Sequence, residues 1–213
     1  MNLSKLIKSL FLLFIFTTSL YSENLKKITI QLSWFDQFQF AGYYMAKEKG
    51  FYKELGLDVE IKPFEFGIDI PKEVSDGKID FAVGRETLIL ERTNNRNIVA
   101  LYALFQASPL ILMTTKESGI NTINDFSNKK IMTTIDDSSE VSLKAMIISN
   151  KVKVEDLNFL KHTHNINDLL NKNTDIISAY ISKAPFQLNQ KSVEYNIFDP
   201  KKFGFDMYSD LLY

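Results

Sequence analysis

Gln31-Leu32-Ser33-Trp34-Phe35-Asp36-Gln37-Phe38-Gln39-Phe40-Ala41-Gly42-Tyr43-Tyr44 joins a β-like apolar run, ending at Leu32, to a helical run that begins at Ala41. Strand, loop and helix in immediate succession are the opening unit of an α/β sheet. The loop alternates rings with amides, which suits a flat polar molecule: faces to stack on, and donors and acceptors around a rim. Open α/β sheets bind ligands beyond the carboxyl ends of their strands, where this loop sits.

Outward from that stretch the alternation continues. Residues 28–32, 58–61, 79–83, 99–105 and 110–114 read as strands, and residues 41–54, 70–75 and 87–94 as helices. The nearly all-apolar run at 79–83 predicts a buried central strand. A second series follows Gly119, with strands at 130–133, 159–161 and 176–180. Its helices are expected at 122–126, 141–149, 166–171 and 185–190. Two α/β lobes of about 90 residues each are of reasonable size for domains. Residues 206–213 read as a strand entering a further unit.

The first 22 residues carry Lys5 and Lys8, then an apolar run from Leu10 to Phe16, then small polar residues. That run falls short of the roughly 20 apolar residues that span a bilayer, and its flanks match a cleaved secretory signal. The expected product is exported and periplasmic. Its removal takes the formal charge from −1 to −3, which gives no footprint for nucleic acid. No cysteine occurs, which excludes thiolate metal sites, cysteine nucleophiles and lipid anchoring through cysteine.

Candidate ligand-binding residues follow from the strand ends. Trp34, Gln37, Phe38, Gln39, Phe40 and Tyr43 come after the first strand, and Gly84, Arg85 and Glu86 after the third. Gly84 allows close backbone approach, and Arg85 could clamp an acidic group or form a surface pair with Glu86. Asp137 and Ser138 precede the helix at 141–149, where they could cap it or meet a ligand. Tyr180 ends an apolar strand beside Ser182, and Tyr208 lies on the last segment. His162 and His164 alternate after a strand and could share a metal, but no acidic or cysteine partner is near in sequence. They read as surface histidines.

The quoted stretch, extended through Gly50-Phe51-Tyr52, resembles the opening of the NMT1/THI5-like family of periplasmic binding proteins. Gly56-Leu57-Asp58-Val59, residues 77–84, Phe105-Gln106-Ala107-Ser108-Pro109, Ser178-Ala179-Tyr180, Asp199-Pro200 and residues 204–208 continue the likeness in order. The resemblance implies a two-lobed, type II binding-protein fold of mainly parallel sheets, with the second lobe inserted in the first. Mapped here, residues 24–113 with 203–213 form lobe one and residues 116–202 lobe two. Hinges fall near 113–115 and 203–208, and Gln106 joins the ligand candidates.

The family binds thiamine pyrimidine precursors, alkanesulfonates, taurine or nitrate. The implied function is solute binding for an ABC-type permease, by a monomer with no cofactor, no metal and no catalytic residue. The likeness also implies that the chain is truncated where complete members return to lobe one. Two alternatives accompany it. One is the ligand-sensing input domain of a membrane kinase or cyclase receptor. The other is an enzyme like the family's thiamine pyrimidine synthases. The latter use a lysine and a histidine whose positions here fall near Gly84 and Leu88, and a cysteine-rich iron motif. Without that amine there is no Schiff base, so the enzyme is disfavoured.

Overall fold

The computed structural model describes residues 24–134 and 140–213. The expected signal segment, Asp137 and Ser138 lie outside them. Two five-stranded sheets organise the chain, each the centre of one lobe of a type II binding-protein fold. The first has the order β2-β1-β3-β10-β4, from β1 (Lys26–Gln31), β2 (Leu57–Lys62), β3 (Phe81–Gly84), β4 (Tyr102–Phe105) and β10 (Ser209–Leu212). The second has the order β7-β6-β8-β5-β9, from β5 (Leu110–Thr115), β6 (Lys130–Thr133), β7 (Asn158–Lys161), β8 (Ile176–Tyr180) and β9 (Tyr195–Phe198).

The sheets are mixed rather than mainly parallel. β1 runs parallel to β2 and β3, and β6 parallel to β7 and β8. β10 is antiparallel to β3 and β4, and β5 antiparallel to β8 and β9. Each antiparallel insertion is the strand with which the chain enters a sheet after crossing from the other lobe. β10 therefore lies inside the first sheet, covered on both edges.

Among the described residues the helices are α1 (Ala41–Glu48), α2 (Phe51–Glu54), α3 (Ile70–Ser75), α4 (Leu88–Glu91), α5 (Val141–Ser149), α6 (Asn167–Leu170) and α7 (Ala184–Gln190). The single helix expected over 41–54 is broken at Gly50, whose φ of 80° lies in the left-handed region. In lobe one, Ile28, Ile30, Leu32, Phe40, Tyr43, Val59 and Val83 pack together. In lobe two, one cluster holds Leu112, Phe126, Ile131, Met146 and Ile176, and another Met113, Met132, Ile177 and Leu188.

Because β5 pairs within the second sheet, lobe one ends before Leu110 rather than at 113. The first crossing is 106–109, not 113–115, since Met113 is fully buried in lobe two. The return crossing, 204–208, runs beside the first, and the Ser108 backbone N–H donates to the Met207 carbonyl at 2.7 Å. β9 has no counterpart among the predicted strands.

Candidate functional site

The site begins with one buried amide. Gln31, at the end of β1, donates from Nε2 to the Pro63 carbonyl at 2.6 Å, drawing the loop after β2 against the loop after β1. Trp34 then packs on Phe64, with centroids 5.1 Å apart, and on Phe35 at 5.4 Å, while Phe66 stands at 6.5 Å. Ring pairs at these spacings each add a fraction of about 1 kcal/mol beyond area burial. The indole is thus held in place before any ligand arrives. Asp36 accepts a hydrogen bond from the Tyr44 hydroxyl, fastening the same loop to α1.

The facing wall comes from lobe two. His162 bonds through Nε2 to the Ser178 carbonyl at 2.8 Å, and its Nδ1 accepts from the His164 backbone N–H at 2.8 Å. A carbonyl can only accept, so Nε2 carries the proton and Nδ1 does not. Both ring nitrogens are therefore engaged, and His162 has none left for a metal. Among the described residues, no group of three potential ligands is placed to hold one. The His164 backbone adopts φ 62°, and its ring stacks on His162 at 4.7 Å and approaches Trp34 at 5.8 Å.

Between these walls lies a cavity of about 310 Å³. Trp34, Gln37, Gln39, Arg85 and Tyr180, all expected at the site, line it together. So do Ser33, Thr134, His162, His164, Ser182, Lys183 and Gln187. The two histidines read as surface residues from sequence; both line the cavity, His162 half-buried and His164 still exposed. The strand-end rule that selected Trp34 also applies to β7, and would have selected them.

Other candidates go elsewhere. Phe38 is 94% exposed and Phe40 fully buried, since the short 3-10 turn at Phe38–Phe40 points one ring outward and the other into the core. Tyr43 belongs to that core. Gly84 does not line the cavity; a Cβ there would stand 2.9 Å from Leu88 Cδ1 and Tyr213 Cε1, so local packing requires the glycine. Gln106 is exposed and donates to the Ala103 carbonyl beside the hinge. Tyr208, exposed, lines a separate cavity of about 390 Å³ with Glu86, Leu88 and Tyr213.

Arg85 and Glu86 face the other lobe rather than each other. Arg85 Nη1 meets Glu140 Oε1 at 2.9 Å, and Glu86 Oε1 accepts from the Ser142 backbone N–H at 2.5 Å, at the start of α5. Glu140 is 1% exposed. Burial foremost pushes its carboxyl up to about 8; the nearby Glu86 charge adds to this and Arg85 opposes it. Asp210 is also buried, with both carboxylate oxygens unpartnered, and burial raises it to about 6 against the pull of Arg85.

The NMT1/THI5 like family model matches residues 37–213. A Haemophilus influenzae protein whose name provisionally assigns it to thiamine biosynthesis is 24% identical over 194 residues, covering 88% of this chain and 60% of its own. Among solved structures, a periplasmic sulfonate-binding protein, SsuA, from Methylobacillus flagellatus superposes with a TM-score of 0.63 at 17% identity, covering 89% of this chain and 61% of that one. The Escherichia coli aliphatic sulphonate binding protein SsuA gives 0.62 at 13%, covering 87% and 60%. The chain spans about three fifths of the length of these proteins.

Proposed function

The chain belongs to the NMT1/THI5 like family, and on that premise we propose that it is a periplasmic solute-binding protein for an ABC-type permease. It closes on a small flat heterocycle of the thiamine-pyrimidine kind and performs no chemistry on it. The observation that carries this reading is the cavity between the lobes, where the rings of Trp34, His164 and Tyr180 meet the amides of Gln37 and Gln39. Ring faces with amides at the rim suit a planar base that hydrogen-bonds along its edge. The sulfonate-binding neighbours and the thiamine-related relative support solute binding. Export through residues 1–22 belongs to the same proposal.

Binding works by hinge closure: ligand docks on the Trp34 loop, and lobe two swings over it about the paired crossings. Because ligand then touches both lobes, its binding favours the closed state. Calorimetry with 4-amino-2-methylpyrimidine tests this, comparing the natural chain with a Trp34→Ala/Gln39→Ala double variant. Binding is expected to vanish in the double variant while its circular dichroism is retained. Undiminished affinity there removes the site, and turnover of the pyrimidine by the natural chain removes the non-enzyme reading.

A further inference from the structure

Among the described residues the two sheets end in four edge strands, and three of these carry charge or a central polar residue: Asp58, Glu60 and Lys62 in β2, Lys161 in β7, and Asn196 in β9. Such residues at an edge discourage foreign strands from adding to it. β4, the fourth edge, has no such guard. It lies within Ile98-Val99-Ala100-Leu101-Tyr102-Ala103-Leu104-Phe105, a run without a charge, a proline or a glycine. On one side β4 pairs with β10, and among the described residues no strand pairs with its other side. Val99 is 67% exposed, Leu101 55%, Tyr102 47% and Leu104 41%, so the apolar run faces solvent. A row of open backbone groups beside apolar side chains is a template for one more strand.

We propose that β4 is a dimerisation edge, on which a second copy of this chain adds its own β4 antiparallel across a two-fold axis, joining two five-stranded sheets into one. The neutrality of the run favours its own copy as the occupant. No charge is buried when two such strands meet, whereas an acidic or basic peptide would find no counter-charge along this one. With the axis at Ala103, a small residue falls where the same position of both copies comes together. Tyr102 of each copy then lies opposite Leu104 of the other, on one face of the joined sheet. The antiparallel sense also sends the charged cluster of Arg96, Asp69 and Glu91, just ahead of the run, to opposite ends of the interface. Parallel pairing would set two such clusters side by side. Pairing β4 with β9 of another copy would grow into an open chain, whereas the two-fold arrangement closes. The dimer takes the place of the monomer that the family resemblance implies, and it does not depend on what the cavity binds. β4 runs directly into the first crossing at 106–109, so the shared sheet fixes lobe one of each copy and leaves lobe two outside it.

Sedimentation velocity on the full chain tests this, with Leu104→Lys as the principal variant and Ile148→Lys, exposed on α5 of lobe two, as its control. The natural chain is expected to reach twice the mass of one copy by about 100 μM and to dissociate on dilution. Each substitution enters a two-fold interface twice, so a loss of about tenfold per site raises the dissociation constant of Leu104→Lys about a hundredfold. Ile148→Lys should leave that constant unchanged. Val99→Lys, ahead of the strand, gives the same reading where circular dichroism shows that Leu104→Lys does not fold. Because the chain has no cysteine, Ala103→Cys adds a single thiol. A short bis-maleimide is expected to link that thiol between two copies, and to leave Ile148→Cys unlinked at the same concentration. A natural chain that stays monomeric overturns the proposal, including one whose edge takes up an unrelated extended peptide instead. So does a dimer that Leu104→Lys and Val99→Lys both leave intact, or open polymers in place of a closed pair. Dimers that Ala103→Cys cannot link overturn the antiparallel arrangement.

Discussion

Trp34 of one lobe and His164 of the other hold their ring centroids 5.8 Å apart across the cavity, at a tilt of 55°. Neither ring is placed by chance: Phe64 and Phe35 brace the indole, while His162 and the Ser178 carbonyl brace the imidazole.

His164 holds φ 62°, a region that costs a residue with a Cβ but not glycine. His164→Gly is therefore expected to stabilise the chain by about 0.5–1 kcal/mol while weakening pyrimidine binding about tenfold or more. Urea unfolding and calorimetry on one preparation check both. A variant that loses stability would show that the ring matters more than the backbone strain.

His162→Asn removes the ring that supports His164, and its amide cannot reproduce the spacing of the two ring nitrogens. Ligand affinity should fall in it as in His164→Ala, and the double variant should lose little more, since the two act as one unit. A double-mutant cycle by calorimetry reads this directly.

Acidity should stabilise the fold. Glu140 stands at about 8 against an ordinary 4.5, and Asp210 at about 6 against 3.8. Between each pair of values the folded chain binds more protons than the unfolded one, so stability falls as pH rises. The contribution is full below the ordinary carboxylate range and is lost up to about 6 for Asp210 and about 8 for Glu140. Melting temperatures should drop between about pH 4 and about pH 8, and Glu140→Gln should flatten the upper part of that slope.

Gly84→Ala places a methyl against Leu88 and the buried ring of Tyr213. Overpacking of that kind costs about 1–3 kcal/mol, measurable as a lower urea midpoint at unchanged slope. An unchanged midpoint would mean that α4 and the last strand part without strain.

The fold was legible where its signal is local. The passage from β1 through the Trp34 loop to α1 follows consecutive residues, and β6, α5 and β8 fall where the sequence predicts them. β9, Tyr195–Phe198, was not legible, because a polar Asn196 interrupts its short apolar run. Its Asn196, polar in sequence, is explained only by the distant Ile120 carbonyl that it donates to. The site divides in the same way. Trp34, Gln37 and Gln39 share one loop, whereas Arg85 meets Glu140 across 55 positions and His162 meets Ser178 across 16. The first pairing exists only once the two sheets face each other, and the second only once β7 and β8 lie in one sheet. Phe38 and Phe40 illustrate the opposite error: a pattern of rings identifies a loop, but one residue of turn decides which ring enters the core.

The paired crossings, bridged from Ser108 to Met207, restrict how the lobes can move. A ribbon of two chains lying side by side bends across its flat face far more readily than it twists or stretches. Under the proposed hinge closure the halves keep their alignment while apart, and each swing returns Trp34 to the same mate. Little orientational freedom would then be left for a guest to remove, and its binding energy would go into latching the jaws rather than into finding the correct docking angle.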